Sequence, residues 1–316
     1  ALTVRNGVKI GYQTGAALMN RLGLTTLLPR EIEVATNGYG LKLPDGCHIK
    51  LRKPEERVTD ENWKYLQFID VVRDLPDAHI DAWYLLSYVT GLDRAAFFLH
   101  GDEPMAEPDM IRYRDLVTKR GERIPLQHLT GEQEFMGLTF LVNEHVLIPR
   151  QDTEILVEEV LRQLTDGSRI LDMCTGSGCI LLSLLAMKEG ASGTGADISP
   201  LALKVAKQNA KGLNVADRAE FVESDLFLSS FFAETTGKAL PVYDILISNP
   251  PYIRSAVIED LMEEVKGHDP RIALDGHEDG LYFYRRIVSE GSAYVKENGW
   301  MLFEIGYDQG EDVSKL

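Results

Sequence analysis

The chain has 316 residues, 44% hydrophobic and 26% charged, an ordinary globular composition with room for one large or two modest domains. Its formal charge of −16, from 33 basic against 49 acidic residues, repels a phosphate backbone and makes nucleic acid an unlikely partner. No stretch reaches the roughly 20 uninterrupted apolar residues of a membrane span, and three cysteines (Cys47, Cys174, Cys179) without paired spacing suit a reducing, cytoplasmic setting and offer neither a disulfide nor a zinc framework.

Residues 1–80 read as a small α/β segment. Short strands are expected at 31–35, 41–43 and 47–51, the last beyond the turn Pro44-Asp45-Gly46, with a helix near 15–22. Residues 81–124 turn helical, with apolar positions at Trp83, Leu85, Leu86, Tyr88 and Val89 and a second helix at 109–119. Residues 125–152 read as a mixed β segment, a hairpin linker containing Phe135, Leu138 and Phe140. A helix follows at 153–164, with Glu154 in its first turn as helix starts prefer.

From Arg169 the pattern alternates: strand 169–173, helix 180–188, strand 192–197, helix 200–211, strands 219–223 and 243–248, helix 280–296, strand 300–305. Strands alternating with helices predict a doubly wound, mostly parallel α/β sheet of Rossmann-like type over 153–316, with ligands beyond the carboxyl ends of its strands.

The motifs fall at those ends. Asp172-Met173-Cys174-Thr175-Gly176-Ser177-Gly178 places a Gly-x-Gly turn between a strand and a helix, where glycines let the backbone approach a ligand closely. Asp197 ends the next strand, where such folds use an acid to accept bonds from ribose hydroxyls; a helix cap is the plainer role for it. Asp225 ends the third strand. A nicotinamide dinucleotide calls for Gly-x-Gly-x-x-Gly, but the last position here is Leu181. The pocket therefore suits an adenosyl ligand without pyrophosphate, and S-adenosyl-L-methionine is the candidate cofactor.

Asn249-Pro250-Pro251-Tyr252 follows strand 243–248. Each proline removes a backbone donor and fixes φ, leaving a rigid loop with two acceptors, the Asn249 side-chain oxygen and the Pro250 carbonyl. Two convergent acceptors suit a planar NH₂ group, and Tyr252 offers a face for stacking. Such a nitrogen is a poor nucleophile. Holding both its hydrogens would aim it at a sulfonium methyl, which is catalysis by positioning and electrostatics.

These residues resemble class I methyltransferases acting on planar nitrogens and, more narrowly, the HemK/PrmC family of glutamine N5-methyltransferases that modify peptide chain release factors. The likeness spans about residues 81–316. It rests on Pro125-Leu126-Gln127-His128-Leu129-Thr130-Gly131, Phe135-Met136-Gly137-Leu138, Leu147-Ile148-Pro149-Arg150, the glycine turn and the Asn-Pro-Pro-Tyr tetrad. Asp269-Pro270-Arg271-Ile272-Ala273-Leu274, Glu278-Asp279-Gly280-Leu281 and Phe303-Glu304-Ile305-Gly306-Tyr307-Asp308-Gln309-Gly310 complete it. The resemblance implies that Cys174, Thr175, Gly176, Ser177 and Gly178 line the methionine moiety. It likewise implies Asp197 at the ribose, Leu226 at the adenine edge and Asn249 at both cofactor and substrate. Asn249, Pro250, Pro251 and Tyr252 would hold the glutamine of a release factor's Gly-Gly-Gln loop, with the preceding helices gripping that protein. Two positions depart from the family: Gln151 replaces a proline, and Cys174 adds bulk where the loop has glycine.

Residues 15–26 and 69–77 instead resemble the C-terminal part of AbiEi-like antitoxins of the abortive-infection class. At the other end, Leu316 falls a few residues into the helix after strand 300–305, the fifth of the sheet. The family fold next adds a hairpin over that strand, and an open edge there is an association hazard. Adenine-N6 methylation of nucleic acid and a non-catalytic antitoxin-like regulator are the alternative readings; acidic charge disfavours the first and the intact motifs the second.

Overall fold

The computed structural model describes residues 4–5, 8–9, 11–14, 32–38, 43, 49–54, 57–59, 78–93, 96, 105–236 and 243–316. The stretches resembling an antitoxin, the helix expected at 15–22, most of the strand expected at 41–43, and Cys47 lie outside these. The chain divides into two compact units, Ala1–Thr130 and Gly131–Leu316.

In the first unit β1 (Val4–Arg5) pairs with β2 (Val8–Lys9), and β3 (Gly11–Thr14), β4 (Ile32–Thr36) and β5 (Ile49–Arg52) form a three-stranded sheet, antiparallel then parallel. Helices α1 (Ala78–Thr90), α2 (Glu107–Gly121) and α3 (Leu126–Thr130) follow. They pack through Leu85, Leu86, Tyr113, Leu116 and Val117 with Leu126 and Leu129 alongside. The Tyr113 hydroxyl donates to the Ala82 carbonyl at 3.2 Å, and Arg120 Nε lies 2.7 Å from Asp81 Oδ2. Residues 126–130 thus depart from the β segment expected of them. Pro125 starts a helical turn, its carbonyl accepting the His128 and Leu129 N–H groups. The three-residue spacing of Leu126 and Leu129 then places both on the helical cluster.

The second unit opens with a hairpin, β6 (Glu132–Phe135) and β7 (Leu138–Leu141). Its turn residues Met136 and Gly137 both have positive φ, 53° and 70°, as a tight hairpin turn requires. Glu154, on helix α4 (Asp152–Gln163), clamps this turn by accepting the Met136 N–H at 2.6 Å.

The central sheet contains β8 (Arg169–Met173), β9 (Ser192–Asp197), β10 (Ala219–Glu223), β11 (Tyr243–Ser248) and β12 (Val295–Phe303). All neighbours are parallel, in the order β10-β9-β8-β11-β12. Connecting helices are α5 (Cys179–Met187), α6 (Pro200–Gly212), α7 (Ser230–Thr236) and α10 (Tyr282–Gly291); the short α8 (Glu263–His268) and α9 (Arg271–Leu274) precede α10, and α11 (Gly310–Val313) follows β12. Side chains of one strand alternate between two cores. Ile170, Ile245 and Ile247 join α4 and α5 on one face, whereas Leu171, Met173 and Leu246 join Phe232 and Ile287 on the other. This is the doubly wound architecture expected from the alternating pattern.

The largest shift of a boundary in this unit falls before the last strand. The helix expected through residue 296 ends at Gly291, and β12 begins at Val295. Val295 pairs opposite Tyr243 and Trp300 opposite Ile245, so residues 296–299 bulge from the strand. Asn298 supplies a positive φ of 65°, and a Cβ on Gly299 would sit 2.7 Å from the Asp244 carbonyl. Lys-Glu-Asn-Gly reads as a charged helix end, but its last two residues suit a bulge. No helix among the described residues is long and apolar enough to cross a membrane.

Candidate active site

Winding from β8 runs outward through β9 and β10 on one side and through β11 and β12 on the other, making the β8–β11 junction the switch point where such sheets bind ligands. Ser248 and Met173 are in register there, and the Ser248 hydroxyl donates to the Met173 carbonyl at 2.5 Å. The glycine turn and the Asn-Pro-Pro-Tyr tetrad consequently leave the sheet side by side.

The turn after β8 needs three positive φ angles: Cys174 at 62°, Gly176 at 56° and Gly178 at 79°. Gly178 carries the chain into α5 so tightly that a Cβ would lie 2.9 Å from Leu182 Cδ1 and 3.2 Å from Ala206 Cβ. Asp197 braces the turn, its Oδ2 accepting the Gly176 N–H and its Oδ1 the Ser199 N–H, each at 2.9 Å. Burial raises the Asp197 carboxyl above its ordinary range, against the pull of these donors. The helix cap that Asp197 could have been is Ser199, whose Oγ accepts the Ala202 N–H. Beneath the turn, Asp172 is fully buried and accepts the Thr175 hydroxyl at 2.6 Å, while its Oδ1 makes no well-formed hydrogen bond among the described residues. Burial pushes it up from 3.8 to about 7, opposed by the Thr175 hydroxyl and the Leu181 N–H. The Cys174 thiol is pushed up too, by burial and then by Asp197, Asp172 and Asp225.

At the third strand end, Leu226 is buried with φ 49°. Ser224 shapes this turn, donating to the Leu226 carbonyl at 2.5 Å and accepting the Ser229 N–H. Asp225 Oδ1 accepts from Arg286 Nη1 of α10 at 2.8 Å.

After β11, the Asn249 amide nitrogen donates to Thr153 Oγ1 at 3.4 Å, which leaves its oxygen as an acceptor. Buried Gln309 donates to the Tyr252 and Gly280 carbonyls at 3.1 and 3.3 Å, and a Cβ on Gly276 would sit 2.7 Å from Tyr252 Cα. The segment 269–281 is thus packed directly on the tetrad. It is also tied to the Ile-Pro-Arg loop through Arg150 Nη2, 2.6 Å from buried Asp269 Oδ2.

A cavity of about 380 Å³ gathers these features. It is lined by Cys174, Thr175, Gly176, Ser177, Asp197, Asp225, Leu226, Asn249 and Pro251, with Arg150, Thr153, His277, Tyr282 and Arg286. Three expected site residues stand apart from it. Gly178 is spent on starting α5, and Pro250 is buried. Tyr252 lines a second cavity of about 620 Å³ with Arg150 and Glu304; its hydroxyl donates to Glu304 Oε1 at 3.1 Å, and burial followed by Glu304 pushes that hydroxyl up to about 12.

Residues 65–131 match the family described as PrmC N-terminal domain, and residues 150–266 match the methyltransferase small domain. A release factor glutamine methyltransferase of Geobacter sulfurreducens is 38% identical over 259 residues, covering 80% of this chain and 88% of that one. The enzyme of the same description from Clostridium acetobutylicum is 41% identical over 238 residues, covering 75% and 81%. That from Chlorobaculum tepidum is 34% identical over 276 residues, covering 83% and 91%.

The chain belongs to the release factor glutamine methyltransferase family.

Several residues that build this family's pocket here carried no signal of their own in the sequence. Arg150 and the segments 269–274 and 278–281 stood only in stretches of likeness, without a role, and Thr153 only as the start of a helix; the Asp225–Arg286 pair spans 61 positions, beyond any local pattern. The pocket fits an adenosyl ligand on two observations. Its volume of about 380 Å³ is in the range of small-molecule sites, and the two acids after the second and third strands, Asp197 and Asp225, both line it, which suits hydroxyl and amino donors better than a pyrophosphate.

Proposed function

We propose that the chain transfers a methyl group from S-adenosyl-L-methionine to the side-chain N5 of the glutamine in a release factor's Gly-Gly-Gln loop, acting in the cytoplasm, which the free Cys174 and Cys179 suit. The observation that carries this reading is the shared cavity: Asn249 stands beside Cys174, Gly176, Asp197 and Asp225 because Ser248 and Met173 are in register. The cofactor, when bound, supplies a methyl group on a cationic sulfur.

The chain's own residues do the rest. Asp197 and the Cys174–Ser177 turn hold the ribose and methionine ends, and Leu226 and Asp225 the adenine end. Asn249 Oδ1, on the cavity wall, accepts one carboxamide hydrogen, and the Pro250 carbonyl, off that wall in the free chain, takes the other once the glutamine is seated, which orients the nitrogen and favours localisation of its lone pair. Thr153, by occupying the Asn249 NH₂, keeps the acceptor side turned to the substrate. Tyr252, in the second cavity, supplies an apolar wall for the incoming loop. Residues 81–124 form a substrate-gripping region and 125–152 a linker to the catalytic residues 153–316; α1 and α2 leave Tyr84 and Ile111 exposed for such a contact.

Incubation with a purified release factor and cofactor, followed by peptide mass mapping, tests the reading. One added methyl on the glutamine of the Gly-Gly-Gln peptide is expected. Methylation of an adenine oligonucleotide with an unmodified release factor would overturn it.

A further inference from the structure

We infer that Arg286 is a positioning residue that sets purine selectivity, by pinning one oxygen of Asp225 so that the other is presented to the 6-amino group of the cofactor. The inference rests on the proposed function and deepens its adenine end.

Asp225 alone is a poor selector. Its side chain is 44% exposed at a strand end, and a free carboxylate there rotates. Three observations fix it. Arg286 Nη1 donates to Oδ1 at 2.8 Å from the neighbouring helix α10. The Asp225 carbonyl is held by the Leu228 N–H at 3.1 Å. Arg286 is itself braced, Nε donating to Glu290 Oε1 at 2.9 Å and the guanidinium lying 5.8 Å from the Tyr282 ring centroid. Among the described residues only Oδ1 of Asp225 takes a hydrogen bond, and Asp225 and Arg286 both line the cavity, which leaves Oδ2 as the acceptor for a ligand there.

The arrangement distinguishes two purines. A 6-amino group donates to Oδ2, whereas a 6-oxo group brings oxygen against oxygen. The guanidinium is already shared between Asp225 and Glu290, so a hydrogen bond from its remaining N–H groups to a 6-oxo group is the weaker contact. Removing it leaves two acids without their common cation, and Asp225 turns outward.

Calorimetry with S-adenosyl-L-homocysteine and its 6-oxo counterpart, S-inosyl-L-homocysteine, tests this without turnover. The unaltered chain should prefer the 6-amino ligand by about 30-fold or more, the worth of a hydrogen bond to a charged acceptor. Arg286→Gln should cut the preference to about threefold while holding 6-oxo affinity, and Arg286→Lys should restore part of it. Asp225→Asn should cut it equally, with no further loss in the double variant. Equal weakening of both ligands in R286Q, or additive losses in the double variant, would overturn the inference while leaving the proposed function standing. Failure of the unaltered chain to bind either ligand would sink both.

Discussion

Asp197 and Gly176, 21 positions apart, meet through a 2.9 Å hydrogen bond that fixes the glycine turn to the end of the next strand. The second oxygen of Asp197 holds Ser199, so one carboxylate shapes both lips of the pocket. In Asp197→Asn one of these donors loses its acceptor. Affinity for S-adenosyl-L-homocysteine should fall by about 30-fold or more, from one lost charged hydrogen bond and a loosened loop. Titration calorimetry checks it, and affinity kept within twofold would contradict the bracing role.

Asn249→Ala should leave the melting temperature nearly unchanged, since its side-chain bond to Thr153 is long at 3.4 Å. Turnover on a release factor should drop by roughly 10²–10³, the usual cost of losing one preorganised polar contact to the reacting group. Single-turnover kinetics measure this. Near-full turnover would remove Asn249 from the chemistry.

Tyr252 separates ring from hydroxyl. Tyr252→Phe loses the bond to Glu304 and should cost about 1 kcal/mol of stability with little change in kcat. Tyr252→Ala loses the wall as well and should raise KM for the release factor. A large kcat loss in the Phe variant would assign the hydroxyl a chemical task.

Asp172 makes stability depend on pH. Burial raises its carboxyl from 3.8 to about 7 in the folded chain, so the folded state binds the proton more tightly than the unfolded state between those values. Its contribution is fully present below about 4 and is lost as pH rises to about 7, on the order of 4 kcal/mol. Asp172→Asn keeps an acceptor for Thr175 without the charge. Its melting temperature relative to the unaltered chain should therefore rise from pH 5 to pH 8; a pH-independent difference would show that the carboxyl is not strained by burial.

Cys174 occupies the left-handed region at φ 62°, where a side chain costs roughly 1–2 kcal/mol. Comparing Cys174→Gly with Cys174→Ala isolates the backbone, because both remove the sulfur. The glycine variant should be the more stable by about 1 kcal/mol in urea, the reverse of the order elsewhere.

The sequence resolved whatever local patterning controls. Strands β8, β9, β10 and β11 begin and end where their apolar runs and flanking motifs place them. Misreadings occur where distant packing decides. Leu126 and Leu129 become helical because a hydrophobic cluster from α1 and α2 receives them. The 269–281 segment shows no periodic pattern that would place it, yet glycines at 276 and 280 press it onto the tetrad backbone. Tyr252 sits beside Asn249 in the chain but turns into another cavity, because Gln309 anchors its carbonyl and Glu304 its hydroxyl. Neither partner is visible from four consecutive letters.

The pairing of Ser248 with Met173 has a kinetic implication. Adjacent strands of a sheet lie about 4.8 Å apart, so donor and acceptor segments emerge at a spacing inherited from the backbone ladder. No hinge must close to align them. Slippage of β11 by one residue would rotate Asn249 to the opposite side of the sheet; the reaction geometry is thus as durable as the innermost part of the fold, and only delivery of the protein substrate is left to motion.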